Sequence, residues 1–513
     1  MAQAWGRAKS GKFKPHSRKF KGSRHTVCDA RLFFLAILRA RLGNRKKMLP
    51  ENTTQPLKPD ETIPVPSKTG PVDIAHVARR RIARRLLPFL FVLYIIAFLD
   101  RMNVGAAALQ MPGDLGFSDR AIGLGAGIFF LGYFLLQIPG ALIAERRSAR
   151  RWIAGIMISW GILTVLMAFI HTVREFYIVR FVVGAAEAGF FPAVVVYLTH
   201  WFRAADRAKA VAAFYAAMPL SYVIGSPLAG LLLGLSWLGL RGWRWLFILE
   251  GIPAVLLGLI TLVYLTDWPR QANWLPAEER KWIIAQLDRE KKAKHDVRSY
   301  SIWQAFRHRD VILLALCYFF ATSGNYGIAF WLPTMLKRLS GQSDMKVTLL
   351  ASLPYLAGFL TQQLNGWHSD RTRERRGHAA VPVLLSGLGL LFAITSGSHV
   401  ALSIIFFTMV GGAYYAFHPA FWAVPTEFLS ESAAAASIGL INSVGNLGGF
   451  FGPLSMGYLV SRTHSFNVGL WYLVGSFLVS GMLMLAVGAG RRQRAQQNEN
   501  ISSSQLAESQ VQG

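Results

Sequence analysis

The chain has 513 residues, 53% of them hydrophobic and 16% charged, with a formal net charge of +28 and a mean hydropathy of +0.34. So few charges, gathered between long apolar runs, exclude an ordinary soluble globular protein and fit a chain embedded in a bilayer. Residues 1–47 carry 14 Lys/Arg against the single acid Asp29, and most of the remaining positive charge lies in short loops. That distribution reads as the bias of cytoplasmic loops and not as a nucleic-acid footprint.

The first predicted element is a basic and polar cytoplasmic leader over residues 1–85. Its one apolar octet, Arg31 to Leu38, is too short to span a bilayer, and no clean cleavage site follows it. Gly6 to Lys12 nearly spells a phosphate-binding loop, but Phe13 stands where a Ser or Thr is needed and no strand precedes it. A second methionine, Met48, opens a Pro/Thr-rich stretch, and the functional chain is expected to start there, the alternative being that residues 1–47 are a targeting or anionic-lipid-binding arm. Cys28 and Cys317 form no disulfide framework and no CxxC pair; Cys317 reads as a packing residue.

Twelve uncharged apolar windows of about 20 residues follow, which predicts an all-α membrane protein of two six-helix halves. The first half covers residues 86–267, with windows centred near 97, 133, 161, 188, 220 and 256. A cytoplasmic linker at 268–309 contains an amphipathic piece, Ala277 to Leu287. The second half covers 310–490, with centres near 322, 355, 388, 410, 446 and 479, and a cytoplasmic tail at 491–513 closes the chain. Arg79 to Arg85, Arg146 to Arg151, Arg203 to Lys209, Arg371 to Arg376 and Arg491-Arg492 fall on one side with the linker. Both termini are therefore expected in the cytoplasm. Arg241, Arg244, Lys337 and Lys346 fall on the other side, and the loop from Glu427 to Glu431 lacks the expected basic residues.

Charges inside the windows carry the chemistry. Asp100 and Arg101 lie about 20 Å into a hydrocarbon core about 30 Å thick, where ionisable residues mark substrate or proton pathways. Arg180 and Glu187 stand seven residues apart, two turns along one helix face. Arg180 alone could snorkel to the near interface. Glu187 cannot, because apolar residues continue to Leu198, and a carboxylic acid placed there can bind and release a proton. Asn442 and Asn446 share a helix face and could bind a ligand or another helix. Tyr133, Tyr215, Asn325 and Tyr326 are further candidate donors to a ligand. The glycines at 123, 125 and 127 and at 445, 448, 449 and 452 permit close helix approach. Pro139, Pro192, Pro219 and Pro227 should kink their helices. His200 and His418 read as interfacial or packed, and no spacing suggests a metal site.

A weak repeat links the halves. Glu145-Arg146 after the second window is echoed by Asp370-Arg371 after the eighth, each followed by more basic residues.

Phe98-Leu-Asp-Arg-Met-Asn-Val-Gly105, Arg180 to Pro192, Tyr197-Leu-Thr-His-Trp-Phe202 and Gly445-Asn-Leu-Gly-Gly449 resemble the major facilitator superfamily. Within it they are similar to the anion:cation symporter branch. Ala107 to Met111 and Gly125 to Phe130 look most like its bacterial tartrate-type transporters. The resemblance covers roughly residues 80–490. It implies that Asp100 and Glu187 couple to protons, that Arg101 and Arg180 meet a substrate carboxylate, and that Asp370-Arg371 belongs to a cytoplasmic gating loop. In the first-half copy of that loop Glu145 replaces the usual Asp, Ser148 replaces a Gly, and Gly140 is offset by one.

These readings converge on a monomeric carrier of the bacterial inner membrane, with a small organic anion and a proton as its partners and no cofactor, metal or nucleic acid. A drug/proton antiporter on the same fold is the first alternative. Paired buried arginines suit an anion better than a cationic drug. A membrane-embedded sensor or enzyme is the second, without a soluble domain or activated nucleophile to support it.

Overall fold

The computed structural model describes residues 71–146, 148–294, 308–429 and 431–488. The readings made for Cys28, the apolar octet, the loop-like motif at Gly6 and the start at Met48 lie outside the described residues. The first half contains α1 (Pro71–Ala107), α2 (Met111–Leu115), α3 (Asp119–Arg146), α4 (Ala149–Met167), α5 (Val173–Glu187), α6 (Phe190–Trp201), α7 (Ala204–Tyr215), α8 (Ala217–Leu233) and α9 (Gly242–Tyr264). The linker forms α10 (Ala277–Lys294). The second half contains α11 (Arg309–Ser340), α12 (Asp344–Ala351), α13 (Leu353–Thr372), α14 (Arg376–Thr395), α15 (Val400–Phe428), α16 (Glu431–Thr463) and α17 (Phe466–Ala486).

Among the described residues, ten segments are long and apolar enough to cross a bilayer, counting α5–α6 and α7–α8 as one crossing each. The eighth and eleventh crossings are α12–α13 and α16. Gln362, Gln363 and Asn365 dilute the apolar character of α13, which packs along α15. Asn365 there donates to the Ala416 carbonyl at 2.7 Å. The protein is thus an all-α membrane protein with twelve crossings in two six-helix halves.

Proline explains three interruptions within crossings. A proline removes its own N–H donor and its ring crowds the carbonyl four residues earlier. Pro192, Pro219 and Pro354 place that clash at Ala188, Tyr215 and Leu350, and the helices break at 188–189, at Ala216 and at Ser352. Pro139 and Pro227 lie inside continuous helices.

The two halves are fastened on the side away from the linker. There Arg338 of α11 meets Asp119 of α3 at 2.6 Å, and Gln110 donates to Asp344 at 3.0 Å. Ser226 of α8 donates to the Thr348 carbonyl at 2.6 Å, and the Tyr222 and Tyr355 rings stack at 4.5 Å. Backbone meets backbone as well. A Cβ added at Gly123 would lie 2.6 Å from the Pro453 carbonyl oxygen, and one at Gly127 would lie 2.6 Å from that of Phe450. This close approach is what the glycine pattern of α3 and α16 makes possible. Nearer the linker side, Asn446 and Ser443 of α16 reach Gln137 of α3 at 3.4 and 3.5 Å.

Candidate functional site

Successive residues of a helix point about 100° apart, so Asp100 and Arg101 serve different surroundings although they are neighbours in α1. The Arg101 Nε donates to Glu187 Oε1 at 2.8 Å, and its Nη2 reaches the same oxygen at 2.6 Å. Glu187 is the last residue of α5, where the helix breaks, and is 1% exposed. The aromatic rings of Phe98, Phe129 and Tyr133 surround the Arg101 guanidinium at 4.8, 5.6 and 4.8 Å. Such faces stabilise a cation with no counter-charge of their own.

Arg180 is 3% exposed, so it does not snorkel to the interface. It donates to the Gly125 carbonyl at 3.3 Å and lies over Phe129 at 4.7 Å. Arg101 and Arg180 line one void together with Phe129, Phe130, Tyr326 and Pro453, so both halves form its wall. Its interior has room for about one water molecule. The halves are closed around the two guanidinium groups.

Asp100 makes no hydrogen bond to either guanidinium, although both cations act on it. Its Oδ1 accepts from Thr164 of α4 at 2.9 Å and from Asn103 at 3.4 Å, while its Oδ2 has no protein partner. Asp100 and Glu187 thus take different hydrogen-bond partners, Thr164 and Asn103 for the one and Arg101 for the other.

Of the other candidates, Tyr133 and Tyr326 gather around the arginines, and the Tyr326 ring packs on Phe130 at 4.5 Å. Tyr215 faces His418 across the halves, with ring centroids 6.4 Å apart. Asn325 is buried and its Nδ2 has no partner. Asn446 bonds Gln137 as above, and Asn442 is half-buried one turn away. His418 is packed as expected, within Tyr215, Tyr318, Tyr414 and Tyr415, but its Nε2 is unpartnered. His200 stacks on Trp268 at 3.8 Å. Cys317 is buried, with its Sγ against Ser480 at 3.3 Å.

At the linker side, Asp370 pairs with Arg375 at 2.6 Å, and Arg375 also reaches Glu427 of α15 at 3.8 Å. Arg371 instead lies over Trp367 at 5.7 Å. Glu374 follows: against the penalty of partial burial, donors from the Gly377 amide and His378 hold its carboxyl below the usual range. In the first half, Glu145 and Arg146 are exposed at the end of α3. Ser148, a departure from the family pattern, has a local use. It accepts from the Arg151 amide at 3.1 Å as the N-cap of α4 and donates to Asp267 at 2.6 Å.

Three polar residues in these surroundings do not feature in the sequence reading. Thr164 and Gln137 are uncharged and give no sequence signal. Glu250 does give one, as the sole acidic or basic residue in the run Trp245 to Tyr264 of α9. It is 6% exposed and neither carboxylate oxygen has a protein partner.

Twelve crossings in two halves, with buried charges at their junction, are the architecture of a membrane transporter. Residues 90–453 match the family model described as Major Facilitator Superfamily, and the chain belongs to that family. It is 44% identical over 416 residues to an Agrobacterium vitis protein named "Putative tartrate transporter", covering 81% of this chain and 95% of that one. It is 37% identical over 425 residues to the "Quinolone resistance transporter" of Acinetobacter baumannii, covering 82% and 97%. The inward-open xylose transporter XylE from E. coli shares the fold, with a TM-score of 0.62 at 15% identity over 79% of this chain and 96% of that one.

Proposed function

We propose that this protein is a proton-driven symporter that takes up a small organic anion such as tartrate or a sugar acid, in a bacterial inner membrane with both termini cytoplasmic. The observation that carries the proposal is the sealed Arg101–Glu187 pair beside Arg180 at the boundary of the two halves. A substrate carboxylate and the Glu187 carboxylate compete for one guanidinium. Binding the anion to Arg101 strands Glu187 without its cation, and a stranded carboxylate in a buried site takes up a proton. Loading of anion and proton is thereby linked, and the neutralised site permits the halves to rock. Arg180 supplies a second fork-shaped donor set, which suits carboxylate geometry better than a lysine would. Tyr133, Tyr215, Asn325, Tyr326, Asn442 and Asn446 are proposed to meet the hydroxyls and remaining carboxylate of the substrate. The Glu145-Arg146 and Asp370-Arg371 loops are proposed to gate the cytoplasmic side.

Name similarity to a tartrate carrier at 44% identity supports the anion reading. The quinolone-resistance relative, together with the aromatic lining of the void, supports a drug/proton antiporter as the second reading. Uptake of labelled tartrate into proteoliposomes under an imposed pH gradient tests the first. Glu187→Gln is expected to abolish gradient-driven uptake while leaving exchange of internal for external tartrate in place. Undiminished driven uptake by this variant would remove Glu187 from the mechanism, and pH-driven export of dyes without anion uptake would favour the antiporter.

A further inference from the structure

Glu250 sits about 12 Å along α9 from its start on the side away from the linker. Both carboxylate oxygens are without a protein donor, although the residue is more than nine-tenths buried. A carboxylate charge in that position costs several kcal/mol unless something compensates it.

The neighbours offer little compensation. The ionisable group facing Glu250 is Asp100 of α1, itself an acid with a bare Oδ2. The cations Arg180 and Arg101 act on Asp100. Of the other helices packed on α9, α4 from Trp152 to Met167 and the whole of α8 carry no acidic or basic side chain. Asn103 lies between the two acids. It donates to Asp100 at 3.4 Å and is the polar group beside Glu250, without forming a hydrogen bond of ordinary geometry to it. Asn103 also lines a second void between the halves, with Pro333, Tyr355 and the hydrogen-bonded Ser226 and Thr348. One amide therefore touches both a cavity at the junction and a pair of acids enclosed in the first half.

We propose that Glu250 is a second proton-carrying acid of this transporter, loaded and unloaded by way of Asn103 and the void it lines, and that its proton is separate from the one exchanged at Glu187. The inference rests on the symporter reading above. It separates two acid sites, one at Arg101 and one beside Asp100 and Asn103. Glu187 gains its proton when substrate displaces it from Arg101. Glu250 has no cation to lose, and its proton responds to whether Asn103 faces an open or a closed junction.

The test measures the number of protons moved per anion. Proteoliposomes holding a fixed gradient of labelled tartrate are titrated with opposing pH gradients until net flux stops. Glu250→Gln, which keeps the shape of the neutral acid, is expected to lower the ratio by one proton, or to lose pH-driven uptake while retaining tartrate exchange. An unchanged ratio overturns the proposal. Equal loss of driven uptake and exchange also overturns it, because that marks a structural role. If the variant cannot be recovered folded, Asn103→Ala is read instead: slowed driven uptake with intact exchange supports the assignment, and parallel loss of both refutes it. Failure of the unsubstituted protein to show pH-driven tartrate uptake would instead overturn the symporter reading on which the inference stands.

Discussion

Arg101→Ala is expected to abolish tartrate uptake and to destabilise the protein by about 3–5 kcal/mol, the typical cost of leaving one member of a buried ion pair uncompensated. Glu187 is 1% exposed and bonds Arg101 alone, through one oxygen, so its charge has no second donor to fall back on. The loss should depend on that stranded acid. Adding Glu187→Gln to Arg101→Ala is therefore expected to recover much of the stability and none of the transport. A double-mutant cycle on thermal unfolding in detergent measures the coupling between the two positions. Additive losses, or an Arg101→Ala protein that melts with the parent, would show that the pair contributes nothing to the sealed state.

A valine at Gly123 is expected to weaken closure on the side away from the linker. The new Cβ would meet the Pro453 carbonyl oxygen at 2.6 Å and the Gly457 Cα at 3.0 Å, and backbone atoms of packed helices cannot swing aside as a flexible side chain can. Overpacking of this kind costs about 1–3 kcal/mol, which would shift the balance between closed and open forms about 5- to 150-fold. Each half can stay folded, because the clash lies between α3 and α16 and not within either half. A cysteine placed at Ala229, beside the second void, in a background lacking Cys28 and Cys317, reports the change. Its labelling by a membrane-impermeant thiol reagent should rise in the Gly123→Val protein, and uptake should fall in parallel. Unaltered labelling and uptake would mean that the halves do not need this contact.

Charge-free windows made the crossings legible, because a bilayer imposes one length and one polarity on every segment. Even α13 is found this way, despite three amides that make it less apolar than its fellows. The paired halves follow from the long polar linker. Partnership was harder to see. Arg101 and Glu187 are 86 residues apart, and nothing in their local sequence says that Arg101 turns to Glu187 while Asp100 turns to Thr164 and Asn103. Those choices depend on helix rotation and depth, which the packing of α1 against α8, α9 and α11 decides. Gln137 carries no charge and leaves no mark on a hydropathy profile. Glu250 had the required signal, a lone acid in an apolar run, but Asp100 and Glu187 sit in motifs and Glu250 does not.

The linker helix gives a direct handle on motion. Among the described residues, the bonds of α10 beyond the linker go to the first half: Glu279 to Arg81 at 3.0 Å, and Glu290 to the Ala204 amide at 3.0 Å and to Arg207 at 3.9 Å. The helix consequently travels with α1 and α7 as a handle travels with its door. A spin label at exposed Lys281 and another at Arg371, at the end of α13, would convert the relative swing of the two bundles into a single measured distance distribution, read outside the hydrocarbon and without touching any residue that meets the cargo.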